Sequence, residues 1–219
     1  MRLILRNLTK IVNKTAVLDR ISYSFEAGLI YGLTGAKHSG KTLLFRCIAG
    51  EESFDKGKIR INRDNKDEKI VFGDVGCVLH NPIIPEFLTG REFVRHFLEL
   101  HDMKADEDII SEYLEIIGID ENMSHKQIYH YDDIYKEHLQ LLCVYILKPD
   151  IVLVEENMEE YDKDSVDLIK KLLDELKENS VVILSTYSSE LINEVCDEAV
   201  VLCDGKLDSM DFNILTLED

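Results

Sequence analysis

Residues 35 to 42 read Gly35-Ala36-Lys37-His38-Ser39-Gly40-Lys41-Thr42. A glycine, four residues and then Gly-Lys-Thr is a spacing suited to cradling phosphate. The glycines let the backbone curl so that successive N–H groups face inward, and a helix starting at the end of the loop adds its positive N-terminus. In such a loop Lys41 reaches the β- and γ-phosphates of a nucleoside triphosphate. Thr42 offers a hydroxyl to Mg²⁺, an ion that keeps most of its octahedral shell as water and phosphate oxygen. At average residue frequencies the pattern arises by chance in about one in a hundred chains of this length. The residues expected to hold the nucleotide are Gly35, Lys37, His38, Ser39, Gly40, Lys41, Thr42 and Leu43. His38 is the unusual member, because a smaller side chain is easier to place in a curled loop.

A second chemical signal is the acidic pair Glu155 and Glu156, which closes the apolar run IVLV (151–154). Adjacent carboxylates at the end of a buried strand suit metal and water chemistry in a chain that also carries a phosphate loop. To bring these groups together, LIYGLTG (29–35) must be a strand leading into the loop and KTLLFRCIAG the helix leaving it. The run IVLV has the continuous apolar character of a strand buried on both faces of a parallel sheet. Val166, Ile169, Leu172, Leu173 and Leu176, three or four apart, predict a helix, and VVILST (181–186) a second buried strand. This alternation implies an α/β fold with a parallel sheet.

LILRNL (3–8), VLDRISYSF (17–25), GKIRIN and VGCVLH read as further strands, and AVVLCDGKLDSM as two strands joined by a hairpin turn at Asp204 and Gly205. From about residue 81 the periodicity becomes helical. Phe93, Phe97 and Leu98 fall on one face, and Ile109, Ile110, Tyr113, Leu114 and Ile117 on another. Residues 81–147 therefore read as a helical insertion in a core made of 1–80 and 148–219.

Composition limits the function classes. With 25 Lys and Arg against 43 Asp and Glu the net charge is −18, so generic attraction to nucleic acid or anionic lipid is not expected. Phosphate must be held locally. No stretch approaches the roughly 18 uninterrupted apolar residues of a membrane span, and the N-terminus lacks the pattern of a secretory signal. A cytoplasmic chain with no membrane insertion of its own is expected. The five cysteines, Cys47, Cys77, Cys143, Cys196 and Cys203, are widely spaced and read as reduced, mostly buried thiols. A small-molecule kinase would share the phosphate loop, but all eight arginines lie between Arg2 and Arg95, which leaves none where an arginine-bearing lid is expected.

With these features in place, the order of motifs over essentially the whole chain resembles the ATP-binding subunit of an ABC transporter. KPDIVLVEEN (148–157) is similar to the Walker B segment, with Glu156 at the place of the catalytic glutamate and Asp162 at the D-loop position. The family's spacing puts Tyr131-Asp132-Asp133-Ile134-Tyr135 where its LSGGQ signature stands, and that signature is absent. His80 replaces the Q-loop glutamine, Tyr187 the switch histidine and Glu155 the usual metal-shell aspartate, while Val12 or a neighbour occupies the place of the adenine-stacking ring.

The resemblance implies a P-loop NTPase (RecA-like) parallel-sheet core with N-terminal antiparallel strands and an inserted helical subdomain. It implies ATP and Mg²⁺ as ligands. Lys41, Glu156 and Tyr187 would be the catalytic residues, and Thr42, Glu155 and His80 the metal set. It also implies a membrane-spanning partner subunit and a homodimer or heterodimer of ATP-binding subunits. Asp132 and Asp133 would cap the helix beginning near Ile134, and their charge would disfavour a phosphate at that helix end. The altered signature and switch leave open an alternative, a degenerate nucleotide-binding subunit with a structural or regulatory role and little hydrolysis.

Overall fold

The computed structural model describes residues 1–79, 83–155 and 163–210. The chain divides into two compact units, Met1–Cys77 with Lys148–Asp219, and Val78–Leu147. In chain order the elements are β1 (Arg2–Val12), β2 (Thr15–Glu26), β3 (Ile30–Thr34), α1 (Lys41–Ala49), β4 (Lys56–Arg63), β5 (Lys66–Glu68) and β6 (Val75–Val78). There follow α2 (Gly90–Leu100), α3 (Glu107–Ile116), α4 (Glu121–Ser124) and α5 (Asp133–Leu147). The last group is β7 (Ile151–Glu155), α6 (Lys163–Lys177), β8 (Val181–Ser185), α7 (Ser189–Val195), β9 (Glu198–Cys203) and β10 (Lys206–Met210).

Six strands form one sheet in the order β10-β9-β3-β8-β7-β6. Its centre is parallel, with β3 between β8 and β9, and β7 beside β8. Val152, Leu153, Val182 and Ile183 are buried, so the runs need no polar alternation because both faces of the sheet are covered. The closing hairpin turns at Asp204 and Gly205, both with positive φ, and pairs Cys203 with Lys206. Two successive left-handed residues are what a tight hairpin of this twist requires.

A second, antiparallel sheet runs β2-β1-β4-β5. Its first hairpin turns on Asn13 and Lys14, again both at positive φ. Leu3, Leu5 and Ile61 from this sheet share one apolar cluster with Leu44, Phe45 and Ile48 of α1 and with Leu33, Leu153 and Ile183 of the parallel sheet. Each fully buried leucine or isoleucine contributes about 1.5–3 kcal/mol, so α1 is held by its inner face and its first turn is fixed.

In the second unit a capping box between Thr89 and Glu92 starts α2. The buried row of α2 is Arg91, Val94 and Leu98, and the expected face of Phe93 and Phe97 is only half-buried. The difference arises because Arg91, 9% exposed, turns inward. It donates to Glu107 and Ser111 at 2.9 Å each and to Glu121 at 2.7 Å, tying α2 to α3 and α4. Ile110, Leu114 and Ile117 are buried as the helical spacing predicts, while Ile109 and Tyr113 are half-buried.

Candidate functional site

The loop Gly35–Gly40 runs from β3 to α1. Gly35 has φ 140°, and a Cβ there would lie 2.4 Å from the carbonyl oxygen of Leu202 in β9, so the loop lies directly on that strand. Gly40 precedes the helix at φ 108°. His38 adopts φ 66°, a left-handed conformation uncommon for a side chain of its size, and this is the backbone counterpart of its oddity in the motif. Ser39 N–H closes a turn onto Ala36 O at 3.0 Å. Lys41, Thr42 and Leu43 form the first turn of α1, where backbone N–H groups have no partner within the helix.

Lys41 is 5% exposed. Its ammonium donates to Gly35 O at 2.6 Å and to Ala36 O at 3.4 Å, and lies 3.9 Å from the centre of the Tyr187 ring. Burial lowers its pKa, and the nearby Glu155 carboxylate pushes it back up. Thr42 Oγ1 donates to the Glu155 carboxylate at the end of β7. Ser39 Oγ is buried with no hydrogen-bond partner among the described residues. An orphaned hydroxyl inside a curl of N–H groups costs about 1–3 kcal/mol unless an acceptor arrives. A buried ammonium beside a helix N-terminus is an arrangement that suits an oxyanion.

Beside the loop lies a cleft of about 530 Å³, walled by Thr15, Ala16 and Val17 of β2, by Gly35–Ser39 and by Val201–Gly205 of the β9–β10 hairpin. The hairpin is fixed to β2, with Asp19 N–H donating to Gly205 O at 2.9 Å and Lys206 forming an ion pair with Asp19 at 3.0 Å.

The structure thus brings Gly35, Lys37, His38, Ser39, Gly40, Lys41, Thr42, Leu43, Glu155 and Tyr187 to one end of the parallel sheet. Val12 does not line the cleft. It is 38% exposed near the β1–β2 turn, and the cleft wall falls instead on Thr15–Val17, just past that turn. His80, Glu156 and Asp162 lie outside the described residues. Sequence reasoning missed the hairpin wall, Cys203–Gly205, because a turn signal does not say which loop its strands will face. Of the five cysteines only Cys47 is fully buried, and Cys203, at the end of β9 on the rim of the cleft, is exposed. Asp132 and Asp133 are exposed at the start of α5, where the Asp132 carbonyl accepts from Tyr135 N–H at 3.0 Å.

Comparison with known proteins adds the following. The family model described as ABC transporter matches residues 18–159. An uncharacterized ABC transporter ATP-binding protein of Bacillus subtilis (strain 168), YybJ, is 31% identical over 206 residues, covering 93% of each chain. Among solved structures, an ATP-binding subunit of an ABC transporter superposes with a TM-score of 0.81 at 17% identity, covering 100% of this chain and 99% of that one. A dimeric ATP-binding cassette in a post-hydrolysis state, bound to ADP and Pi, gives a TM-score of 0.76 at 17% identity, covering 96% and 98%.

Proposed function

Because this chain belongs to the ABC transporter family of ATP-binding proteins, we propose that the loop Gly35–Thr42 holds the triphosphate of ATP and that the cleft beside it takes the nucleoside. The protein is the ATP-binding subunit of an ABC transporter, an ABC-type ATPase. The observation that carries the site assignment is the convergence of the Lys41 ammonium, the orphaned Ser39 hydroxyl and the first turn of α1 on one curl of backbone.

Backbone N–H groups from Gly40 to Leu43 bind the β- and γ-phosphates, and Lys41 offsets the charge that develops on the γ-phosphoryl group. Thr42 and Glu155, a hydroxyl and a carboxylate in direct contact, are the hard oxygen donors that suit Mg²⁺. His80 is a further candidate near the metal. When bound, the ion would neutralise charge on the phosphate oxygens. Glu156 orients and polarises the attacking water. Among the residues that wall the cleft the one ring is the His38 imidazole, and no Phe, Tyr or Trp stands there to stack on a base.

The two units act as one ABC domain, with the helical segment, 81–147, as the surface offered to a membrane-spanning subunit. Exposed Ile83, Phe87 and Tyr129 in the second unit support this. Their strands of loop are linked by Tyr129 N–H to Glu86 O at 2.9 Å and Gln127 Nε2 to Phe87 O at 3.1 Å. Among the described residues no helix is long and apolar enough to cross a membrane; the attachment proposed is peripheral, at the cytoplasmic face, through that partner. The working unit is a homodimer or heterodimer of ATP-binding subunits.

The test is calorimetry with MgATP on wild type and Lys41→Ala, with ATPase rates on wild type and Glu156→Gln. Binding lost in the first variant and turnover lost in the second are expected. Equal heats with Lys41→Ala would remove the loop from the mechanism, and equal rates would remove Glu156.

A further inference from the structure

The Lys41 ammonium is engaged from two sides. Gly35 O and Ala36 O accept its protons at 2.6 and 3.4 Å, and the Tyr187 ring face lies 3.9 Å from Nζ. At that separation the ring is in van der Waals contact with the cation and covers one side of it. We propose that Tyr187 is a positioning residue acting through Lys41: its ring face holds the ammonium on the loop carbonyls and must be displaced by the phosphate, so that the ring competes with nucleotide. The inference rests on the reading of the loop as the triphosphate site and concerns how that site is guarded when empty.

Two features of the structure favour displacement over a fixed contact. Lys41 is almost fully buried while Tyr187 is 53% exposed, so the ring can swing outward with little packing to lose. The backbone around it is pinned. Thr186 N–H donates to Leu33 O at 3.4 Å, Ser188 N–H to Thr186 Oγ1 at 3.0 Å, and Ser188 Oγ caps α7 by accepting from Leu191 N–H at 3.1 Å. Motion is therefore confined to the side chain. The contact uses the ring face and leaves the hydroxyl out, which separates this role from a hydrogen bond between the tyrosine O–H and the γ-phosphate.

The experiment measures Kd for MgATP and MgADP by calorimetry on the full chain with Tyr187→Leu, Tyr187→Phe and Tyr187→Trp. A partly exposed cation–π contact corresponds to about a two- to fivefold change in affinity. Tyr187→Leu should bind both nucleotides about two- to fivefold tighter. Tyr187→Phe should stay close to wild type, and Tyr187→Trp, with the strongest ring, should bind more weakly. The chain contains no tryptophan, so the indole of the last variant is a unique fluorophore whose emission should change over the same nucleotide range as the heat signal.

A loss of affinity in Tyr187→Phe for ATP but not ADP would assign the role to the hydroxyl and overturn the proposal. Equal affinity in all variants, or an unchanged emission, would overturn it too while leaving the triphosphate site standing. No heat in any variant, wild type included, would remove both.

Discussion

Gly35→Ala tests whether the phosphate loop depends on its seat against β9. Two costs arise. A non-glycine residue at φ 140° is strained by about 1–3 kcal/mol, and its Cβ would stand 2.4 Å from Leu202 O and 3.0 Å from Ser39 Oγ. Leu202 is paired with Leu207, and its neighbour Val201 is paired with Thr34 of β3, so that carbonyl cannot retreat without loosening two ladders. Gly40→Ala is the matched control. It is strained similarly at φ 108°, but its Cβ meets the Val17 side chain at 2.9 Å, which can rotate.

Gly35→Ala should cost about 4 kcal/mol and Gly40→Ala about 2 kcal/mol, or roughly 8–16 °C against 4–8 °C in Tm for a chain of this size. Thermal unfolding followed by circular dichroism measures both, and calorimetry with MgATP on the folded fraction should show the larger loss in Gly35→Ala. If Gly35→Ala melts no lower than Gly40→Ala and binds nucleotide like wild type, the loop is not held by its contact with β9 and the reasoning fails.

Three further outcomes follow from the same geometry. Cys203 alone should react quickly with a disulfide reagent at pH 8, since burial pushes Cys47 and Cys77 up to about 11 and Cys143 and Cys196 up to about 12, and excess MgATP should slow it because Cys203 lines the cleft. Hydrogen bonds from Arg20 and then Lys206 hold Asp19 down to about 2. A depressed carboxylate stabilises the fold above its ordinary range near 4 and loses that effect as pH falls toward 2, so the Tm gap between wild type and Asp19→Asn should be constant above pH 5 and close below pH 4. Replacing the exposed pair at the start of α5, by Asp132→Ser with Asp133→Gly in a Glu156→Gln background, should raise the ATP-dependent dimer fraction in sedimentation; an unchanged fraction would show that the acids do not oppose closure.

The features most legible from sequence were those with a strong local cause. The glycine spacing of residues 35–42, the unbroken apolar runs of β7 and β8, and the Asp204-Gly205 turn each have one physical solution, and the structure adopts it. What was not legible depends on contacts distant in sequence. Strand β5 is Lys66-Asp67-Glu68, all exposed, and carries no apolar signal at all; it exists because β4 offers an edge. The inward turn of Arg91 needed two glutamates and two serines from two other helices of the second unit, α3 and α4. The resemblance places Tyr187 at the switch position but says nothing of its ring, and the ring face became the contact once β8 and the loop placed Lys41 beneath it.

The charge balance explains why the altered residues need not abolish binding. A chain of net charge −18 offers no long-range attraction to a nucleotide anion, and beyond about 8 Å at physiological salt that repulsion is screened in any case. What remains is local, one buried ammonium and a row of backbone N–H groups at the start of α1. Backbone donors do not depend on side-chain identity, so replacing a histidine by Tyr187, an aspartate by Glu155 or a signature segment by Tyr131–Tyr135 leaves this row untouched. On the proposed site those residues act elsewhere: Tyr187 on how readily Lys41 is released, and so modestly on affinity, and Tyr131–Tyr135 on how a second subunit would approach the phosphate. On that reading Glu156→Gln should lose turnover while keeping affinity for MgATP, whereas Lys41→Ala should lose both.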